Sequence, residues 1–242
     1  MTNFGVIFKH YMIRMLRNKF NVLILMGIPL GIILLNAVAI SNNLPEGMRF
    51  GELEAAVWIT LLMTLSFQFF SCEMLLEFLN WDFRGDVRER LYVAPVPKTA
   101  FMLGVGTASL VMSILQGLAI FLIMIVGFGV NLGTPAIWLP VLILTAIMAQ
   151  LLVVLIVLCT TSKKMGSGVS MAIGFGLMAT SGGLFVPREV IPDVLFYNSP
   201  VNIGRIAVME GGATAVTNLG ILAGVVVVLT LLVGVISRRR TV

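Results

Sequence analysis

Apolar residues fall in six long stretches along this chain, and short polar segments separate them. The stretches are Phe20–Ile40, Ala55–Leu79, Phe101–Phe128, Ala136–Cys159, Met165–Val186 and Val216–Ile236. A helix needs about 20 mostly apolar residues to cross a bilayer, and each stretch reaches that length. The pattern therefore predicts an all-α integral membrane fold with six transmembrane helices.

Composition indicates that lipid is the solvent for much of the chain. Hydrophobic residues make up 59% of the sequence and charged residues 11%, and the mean hydropathy is +1.05. Soluble domains carry about 25% charged residues. No segment is long or polar enough to fold as a soluble domain, so residues 1–242 are predicted to form a single transmembrane domain.

The distribution of Lys and Arg predicts the orientation of the helices. If the N-terminus is cytoplasmic, 13 of the 16 basic residues lie in cytoplasmic segments, and Arg49, Arg188 and Arg205 lie outside. Cytoplasmic loops of membrane proteins carry such an excess. The chain is therefore predicted to be a multi-pass protein of the cytoplasmic membrane with both termini cytoplasmic. The charges act as topology signals, so the net charge of +5 does not indicate nucleic-acid binding.

The first 19 residues have the pattern of an amphipathic helix. One face carries Asn3, His10, Arg14 and Arg17, and the other carries Phe4, Phe8, Tyr11, Met12 and Met15. Residues 1–19 are therefore predicted to lie in the cytoplasmic interface, with the basic side chains toward anionic headgroups. A cleaved signal peptide ending near Ala37-Val38-Ala39 is the alternative, but the apolar run is too long for an ordinary signal core.

The cytoplasmic segment 80–99, between the second and third stretches, is predicted to contain a short charged helix. Asp86 can cap this helix, and Pro95 and Pro97 stop it. Its mixed charges, together with Leu91 and Tyr92, suit docking into the groove of a partner protein. An ordinary solvated loop has the same composition, so both interpretations stay open on composition alone.

Two carboxylates lie within the second stretch, at Glu73 and Glu77, one helical turn apart. Ionisable residues within a membrane span are costly and often functional. Glu73 lies near the predicted cytoplasmic end, where both side chains can reach the interface or pair with Arg84 or Lys98. Structural pairing, conformational coupling and direct handling of protons or substrate are the three roles left open.

The segment 187–215 is partly apolar but interrupted by prolines. It follows Ser181-Gly182-Gly183-Leu184-Phe185-Val186-Pro187 and contains Ile191-Pro192 and Pro200. Its apolar part, Val190–Ile206, is too short and too broken to cross a bilayer. A short, outward-facing re-entrant hairpin before the last span is predicted, because irregular backbone is tolerated at membrane depth where protein or a cavity covers it.

Together, the amphipathic start, the cytoplasmic segment and the interrupted segment resemble the membrane subunits of type-2 ABC transporters. The run Glu89-Arg90-Leu91-Tyr92-Val93-Ala94-Pro95-Val96 is similar to the Glu-x-Leu-x-x-x-Pro pattern of that family's coupling loop. The stretch from Ser181 to Pro187 is similar to its closing motif. One position departs from the pattern, since family members often carry Gly-Thr before the coupling helix and Gly85 is followed here by Asp86.

The resemblance implies a dimer of six-helix membrane subunits, either two identical chains or two paralogues. It also implies two copies of a separate ABC ATP-binding subunit, which hold the ATP and Mg²⁺. This chain has no G-x-x-x-x-G-K-[ST] phosphate loop, so it is predicted to be a transport subunit, not an enzyme, that binds no cofactor itself. The residues expected to couple to the ATPase are Asp86, Val87, Arg88, Glu89, Arg90, Leu91 and Tyr92.

By the same resemblance, the first, second and fifth spans line a substrate path at the dimer interface. Phe67, Phe69 and Phe70 are candidates to contact an amphiphile on this path, although each can equally face lipid. Few charges lie deep in the membrane, which favours a hydrophobic or amphipathic substrate over an ion. The expected function is export of a drug, antibiotic, lipid or glycolipid.

Three other classes of function compete with the exporter. An ion-coupled secondary transporter is expected to carry ionisable residues near the midplane and repeated halves, whereas Glu73 and Glu77 lie near one edge. A membrane-embedded enzyme needs a buried nucleophile–base pair or metal ligands, whereas His10 is the one histidine of the sequence and no Cys/His or carboxylate cluster is evident. A scaffold stays open but leaves the cytoplasmic helix without a mechanical role.

Overall fold

The computed structural model describes residues 2–23, 27–42, 53–85, 98–182 and 188–240. Within these residues every regular element is a helix, as the all-α prediction requires. The helices are α1 (Thr2–Arg17), α2 (Lys19–Val22), α3 (Ile28–Ser41), α4 (Glu54–Ser71), α5 (Glu73–Arg84), α6 (Lys98–Phe128), α7 (Pro135–Cys159), α8 (Lys163–Thr180), α9 (Asp193–Asn198), α10 (Pro200–Glu210) and α11 (Gly212–Arg240). A 3₁₀ turn covers Arg188–Val190.

Four helical segments in the described part of the chain are long and apolar enough to cross a membrane. They are Glu54–Asp82, Ala100–Phe128, Pro135–Cys159 and Gly212–Arg238, and they correspond to the second, third, fourth and sixth predicted stretches. The first of them joins α4 and α5 through Cys72, which keeps right-handed helical dihedral angles. Its 29 residues measure about 44 Å at a rise of 1.5 Å per residue, so one end extends beyond the hydrocarbon core.

The first and fifth predicted stretches form shorter helices. In the first, α3 has 14 residues, or about 21 Å at 1.5 Å per residue, and residues 24–26 lie outside the described part. In the fifth, α8 has 18 residues and carries two lysines and four glycines, which lower its hydropathy. The Ser162 side chain caps its start by accepting a hydrogen bond from the Met165 N–H at 3.2 Å. Six spans therefore remain a prediction.

Helix α4 is the centre of the bundle. Every residue from Thr60 to Phe69 is buried, and α3, α6, α7, α8 and α10 all pack against this helix. A helix that is buried on all sides has no polar face, and the polar residues Thr60 and Thr64 instead donate their hydroxyl hydrogens to main-chain carbonyls one turn earlier. By contrast, only 6% of the apolar window of α11 is buried.

Polar side chains tie α6 to its two neighbours inside the bundle. The Ser113 hydroxyl of α6 donates to the Gln68 Oε1 of α4 at 2.5 Å and lies 2.5 Å from the Ser71 hydroxyl. The Gln150 Nε2 of α7 donates to the Ser109 Oγ of α6 at 3.0 Å. Hydrogen bonds between membrane helices contribute about 0.6–2 kcal/mol each, so these contacts hold α4, α6 and α7 together.

Helix α1 lies against α6 through one buried stripe. Ile7, Tyr11 and Met15 are buried, at the spacing of one helical turn that places residues on the same face. Close approach depends on Gly104 of α6, where an added Cβ atom would lie 2.4 Å from Ile7 Cγ2. Phe8 and Met12 are partly buried beside this stripe, whereas Phe4, on the predicted apolar face, is 41% exposed.

Two short helices occupy most of the segment predicted to be re-entrant. With 6 and 11 residues, α9 and α10 are too short to cross a bilayer, and α10 packs on α4, α7 and α11. Gly211 and Gly212 then take positive φ angles of 66° and 52°, which glycine adopts without strain. The last helix consequently begins at Gly212, inside the predicted segment 187–215.

Candidate coupling and transport site

A buried polar contact joins α1 to α5. The Tyr11 hydroxyl donates to Asp82 Oδ2 at 2.5 Å, and Arg14 Nη1 donates to Asp82 Oδ1 at 3.0 Å. The Asp82 side chain is only 4% exposed. Hydrogen bonds to an ionised partner are about twice as strong as neutral ones. The residues Tyr11, Arg14 and Asp82, here called the α1–α5 lock, therefore fasten the N-terminal helix to the long segment Glu54–Asp82.

Aromatic rings extend this lock to α8. The Arg14 guanidinium lies 4.7 Å from the centre of the Phe78 ring, and Lys163 Nζ of α8 lies 5.6 Å from the centre of the Trp81 ring. Cations over aromatic faces are attracted by the ring quadrupole. Burial raises the pKa of the Tyr11 phenol above its usual value, and the hydrogen bond to Asp82 raises it further. The phenol therefore stays protonated and keeps donating.

The lock lies next to the predicted coupling segment. Helix α5 continues to Arg84, so the first residues of the segment 80–99 are a helical extension of the second span instead of a loop. The predicted coupling residues themselves, 86–92, lie outside the described part of the chain. Asp82 lies two residues before the end of α5 at Arg84 and four positions before Asp86 in the sequence.

Glu73 and Glu77 occupy the first two turns of α5. Glu73 Oε1 is buried and has no hydrogen-bond partner in the described structure, and Ser170 of α8 faces the same carboxyl group. Glu77 is partly buried. The predicted partners Arg84 and Lys98 lie at the end of α5 and the start of α6, and their side chains are outside what the structure describes.

The three candidate phenylalanines differ in their access to ligands. Phe67 and Phe69 are 8% and 6% exposed, whereas Phe70 is partly exposed and contacts Phe175 of α8 with ring centres 5.1 Å apart. Phe175 is 53% exposed. The accessible aromatic surface between α4 and α8 is therefore formed by Phe70 and Phe175, and the sequence reasoning missed Phe175.

Close packing of α8 against α4 fixes the position of this aromatic pair. An added Cβ atom at Gly174 would lie 3.2 Å from the Phe70 ring, so glycine lets the ring approach the α8 backbone. Gly166, Ser170 and Gly174 form the buried stripe of α8, and small residues at this spacing allow membrane helices to approach closely. Phe175 is adjacent to this stripe and points to its open side.

Comparison with known protein families shows the family to which this chain belongs. The sequence profile of the family described as "ABC-2 type transporter" matches residues 2–211. The chain belongs to the ABC-2 type transporter family. The match runs from the start of α1 to the end of α10 and includes every residue of the α1–α5 lock. No curated protein matches the chain.

As an ABC-2 membrane subunit, the chain is a multi-pass membrane protein that works with ATP-binding subunits. The domain lacks the ATPase, and the partner subunit carries out the hydrolysis. The suspected resemblance to type-2 ABC membrane subunits is thereby confirmed. Because the ATPase lies on the partner, transport by this ABC-2 subunit requires a mechanical connection from the partner to the membrane helices.

Proposed function

We propose that this subunit exports a hydrophobic or amphipathic substrate, such as a drug, antibiotic, lipid or glycolipid, across the cytoplasmic membrane. The observation that carries the proposal is the α1–α5 lock next to the segment 86–92. A permease driven by ATP must transmit motion from a soluble partner into its spans. The lock supports this role because it joins the N-terminal helix, the second long span and the start of the predicted coupling segment.

The proposed transmission starts at residues 86–92, where two ATP-binding subunits dock. Their closure on ATP pushes this segment, and the push moves α5 together with α1, because Asp82 bonds to both Tyr11 and Arg14. Hydrogen bonds to charged groups contribute about 1.5–3 kcal/mol each. The contact is therefore strong enough to move the two helices as one body while the rest of the bundle tilts.

Orientation and assembly follow from the same proposal. Both termini are cytoplasmic, α1 lies in the cytoplasmic interface, six segments span the membrane, and α9–α10 form an outward-facing re-entrant hairpin. A second membrane subunit, identical or paralogous, completes the path. The excess of basic residues in the predicted cytoplasmic segments supports this orientation, and the short lengths of α9 and α10 support the hairpin.

The substrate path is proposed to run along the surface shared by α4 and α8. Phe70 and Phe175 offer an accessible aromatic pair there, and Phe67 and Phe69 support it from the buried side. Aromatic faces bind apolar surface with little loss of side-chain entropy. Glu73, one helical turn after Phe70, faces Ser170 of α8. This pair is proposed to couple α5 and α8 during the transport cycle.

The test of this proposal is capture of an ATPase by the coupling segment. The intact chain and the variant Glu89→Ala with Leu91→Ala are purified from mild detergent, and ATPase activity is measured in each eluate. Asp193→Ala is the matched control, because its exposed carboxylate lies on α9, predicted to be on the opposite side of the membrane.

We expect the intact chain and the Asp193→Ala control to retain an ATPase subunit and the double variant to lose most of it while keeping its melting temperature. If the double variant retains as much ATPase as the intact chain, residues 86–92 are not the coupling site. If none of the three chains captures an ATPase under several mild conditions, the proposed docking of the partner is wrong.

A further inference from the structure

Arg205 is a buried guanidinium whose charge is not used by the proposed transport cycle. It lies on α10 and is 5% exposed. Its guanidinium carbon is 4.9 Å from the centre of the Trp58 ring and 5.3 Å from the centre of the Phe196 ring. The two rings hold the plane of the side chain in place between α4 and α9.

Hydrogen bonding of this guanidinium is incomplete. Nε and Nη1 are buried and have no acceptor in the described structure. The ion pairs described there join Arg14 to Asp82 and Arg188 to Asp193, and Arg205 takes part in neither. Arginine stays protonated in proteins, and a buried charged donor without an acceptor is costly. An anion is the chemical group that would remove this cost.

A second guanidinium lies against the Phe196 ring. The guanidinium carbon of Arg188 lies 4.1 Å from the centre of the Phe196 ring, so two arginines flank one aromatic side chain. Arg188 is neutralised by Asp193, whereas Arg205 has no carboxylate partner among the described residues. Both arginines lie in the segment 187–215 and contact the Phe196 ring. They differ because, within the described part of the chain, only Arg188 has a carboxylate partner.

Depth and surroundings indicate where the anion comes from. Trp58 lies one turn from the start of α4 at Glu54, about 6 Å along the helix axis, and Trp is enriched at membrane–water interfaces. In the short segment that carries Phe196, Val190, Val194 and Leu195 are 71%, 72% and 52% exposed. A lipid supplies both groups that these residues need, because its phosphate can bind Arg205 and its acyl chains can cover the exposed apolar side chains.

We propose that Arg205 binds the phosphate of an anionic lipid in the leaflet nearest the N-terminus of α4. The lipid phosphate accepts hydrogen bonds from the guanidinium, and Trp58 and Phe196 hold the guanidinium in orientation. The proposal depends on the chain being a membrane subunit and not on the coupling segment or the transported substrate. Failure of the coupling proposal therefore leaves this one standing, and the reverse also holds.

Trp58 itself is the reporter for the test, because it touches Arg205. Trp81→Phe with Trp138→Phe leaves Trp58 as the one tryptophan of the full chain, which has three. The chain is reconstituted in phosphatidylcholine vesicles containing increasing fractions of brominated phosphatidylglycerol or of brominated phosphatidylcholine. Quenching of Trp58 fluorescence then gives the relative affinity of the two lipids at this position.

We expect phosphatidylglycerol to bind about fivefold more tightly than phosphatidylcholine, the ratio typical of one basic residue at an anionic membrane surface. Arg205→Gln should reduce this ratio to near one, and Arg205→Lys should keep part of it. Arg188→Gln is the matched control and should leave the ratio unchanged, because that arginine already has a carboxylate partner. The melting temperature of each variant verifies that it is folded.

Three results would overturn the proposal. One is equal affinity for both lipids in the chain with Arg205 intact. This measurement does not need the Arg205→Gln variant, so it tests the proposal even if that variant does not fold. Another is an unchanged preference in a folded Arg205→Gln chain, which would assign the selectivity to other basic residues. The third is loss of the preference on addition of inorganic phosphate, which would show a site for a small free anion instead of a lipid headgroup.

Discussion

Exposure decides how much each of the two described ion pairs contributes to the stability of this ABC-2 subunit. Asp82 is 4% exposed and Asp193 is 77% exposed at the side chain. Exposed pairs typically contribute about 0–1 kcal/mol because water screens them, whereas removing one partner of a buried pair costs about 3–5 kcal/mol. The two pairs contain the same residue types, an arginine and an aspartate, so the difference lies in their surroundings.

Replacement of Asp82 is therefore expected to destabilise the subunit strongly. Asp82→Asn should lower the free energy of unfolding by about 2 kcal/mol, less than for a fully buried pair, because the Arg14 side chain that loses its counter-charge is 32% exposed and partly screened by water. Tyr11→Phe should cost about 1 kcal/mol, the usual value for one hydrogen bond. Unfolding in a fixed detergent gives both values. Asp193→Asn is the control, and an equal loss there would contradict the importance assigned to burial.

Sequence reasoning found part of this site and missed the rest for physical reasons. The basic face containing Arg14 and the apolar face containing Tyr11 follow from helical periodicity. Their partner does not, because Asp82 is 71 positions from Tyr11, and only the tertiary fold brings the two together. Phe175 was missed because it lies among glycines, and its exposure depends on which side of α8 packs against α4.

Close contacts between helices depend on a few glycines in α6. An added Cβ atom at Gly104 would lie 2.4 Å from Ile7 Cγ2 and 3.2 Å from Ile7 Cβ. Isoleucine is branched at Cβ and has few alternative rotamers in a helix, so α1 must move to relieve the contact. At Gly106, two residues away on the same helix, nothing lies within 4 Å.

Gly104→Ala is expected to loosen α1 without unfolding the bundle. Amide hydrogen exchange in residues 2–17 should become at least about tenfold faster, the factor that corresponds to 1.4 kcal/mol of overpacking, within the 1–3 kcal/mol typical of an inserted methyl group. Gly106→Ala should leave exchange there unchanged and add up to about 1 kcal/mol of helix propensity. Identical exchange rates in the two variants would show that α1 does not depend on this contact.

The ends and buried faces of the helices could be predicted from the sequence only in part. Long apolar stretches give four clear helices, because a bilayer accepts only continuous apolar runs with internal hydrogen bonding. The end of α5 was placed at Leu79 instead of Arg84, since Asp82 and Arg84 look like loop residues until a partner for Asp82 is known. The buried face of α1 was only partly predicted, because Val6, Ile13 and Leu16 also give its exposed side an apolar character.

At the scale of the whole molecule, α4 is surrounded by protein and α11 faces outward. This arrangement places the buried polar contacts of α4, α6 and α7 in the interior and leaves the peripheral helix to lipid or a neighbouring subunit. One cysteine lies in the interior and the other on the surface: Cys72 is buried at the α4–α5 junction, and Cys159 is exposed at the end of α7.

Cys159 therefore reports the orientation of the whole subunit. A membrane-impermeant maleimide should label Cys159 in inside-out vesicles and not in intact cells, because α7 is proposed to end on the cytoplasmic side. Cys159→Ser should abolish labelling, since Cys72 stays inaccessible until the protein unfolds. Labelling of Cys159 in intact cells would reverse the proposed orientation and place residues 86–92 outside the cell.

The long separation between Tyr11 and Asp82 also has a consequence for how the chain is made. Helix α1 leaves the ribosome before α5, so its partner Asp82 does not exist until the span Glu54–Asp82 has been synthesised. During that interval the amphipathic helix has only the membrane surface to cover its apolar residues. Newly made α1 therefore cannot dock on α5 until Asp82 has been synthesised, so the α1–α5 lock forms later than either of its helices.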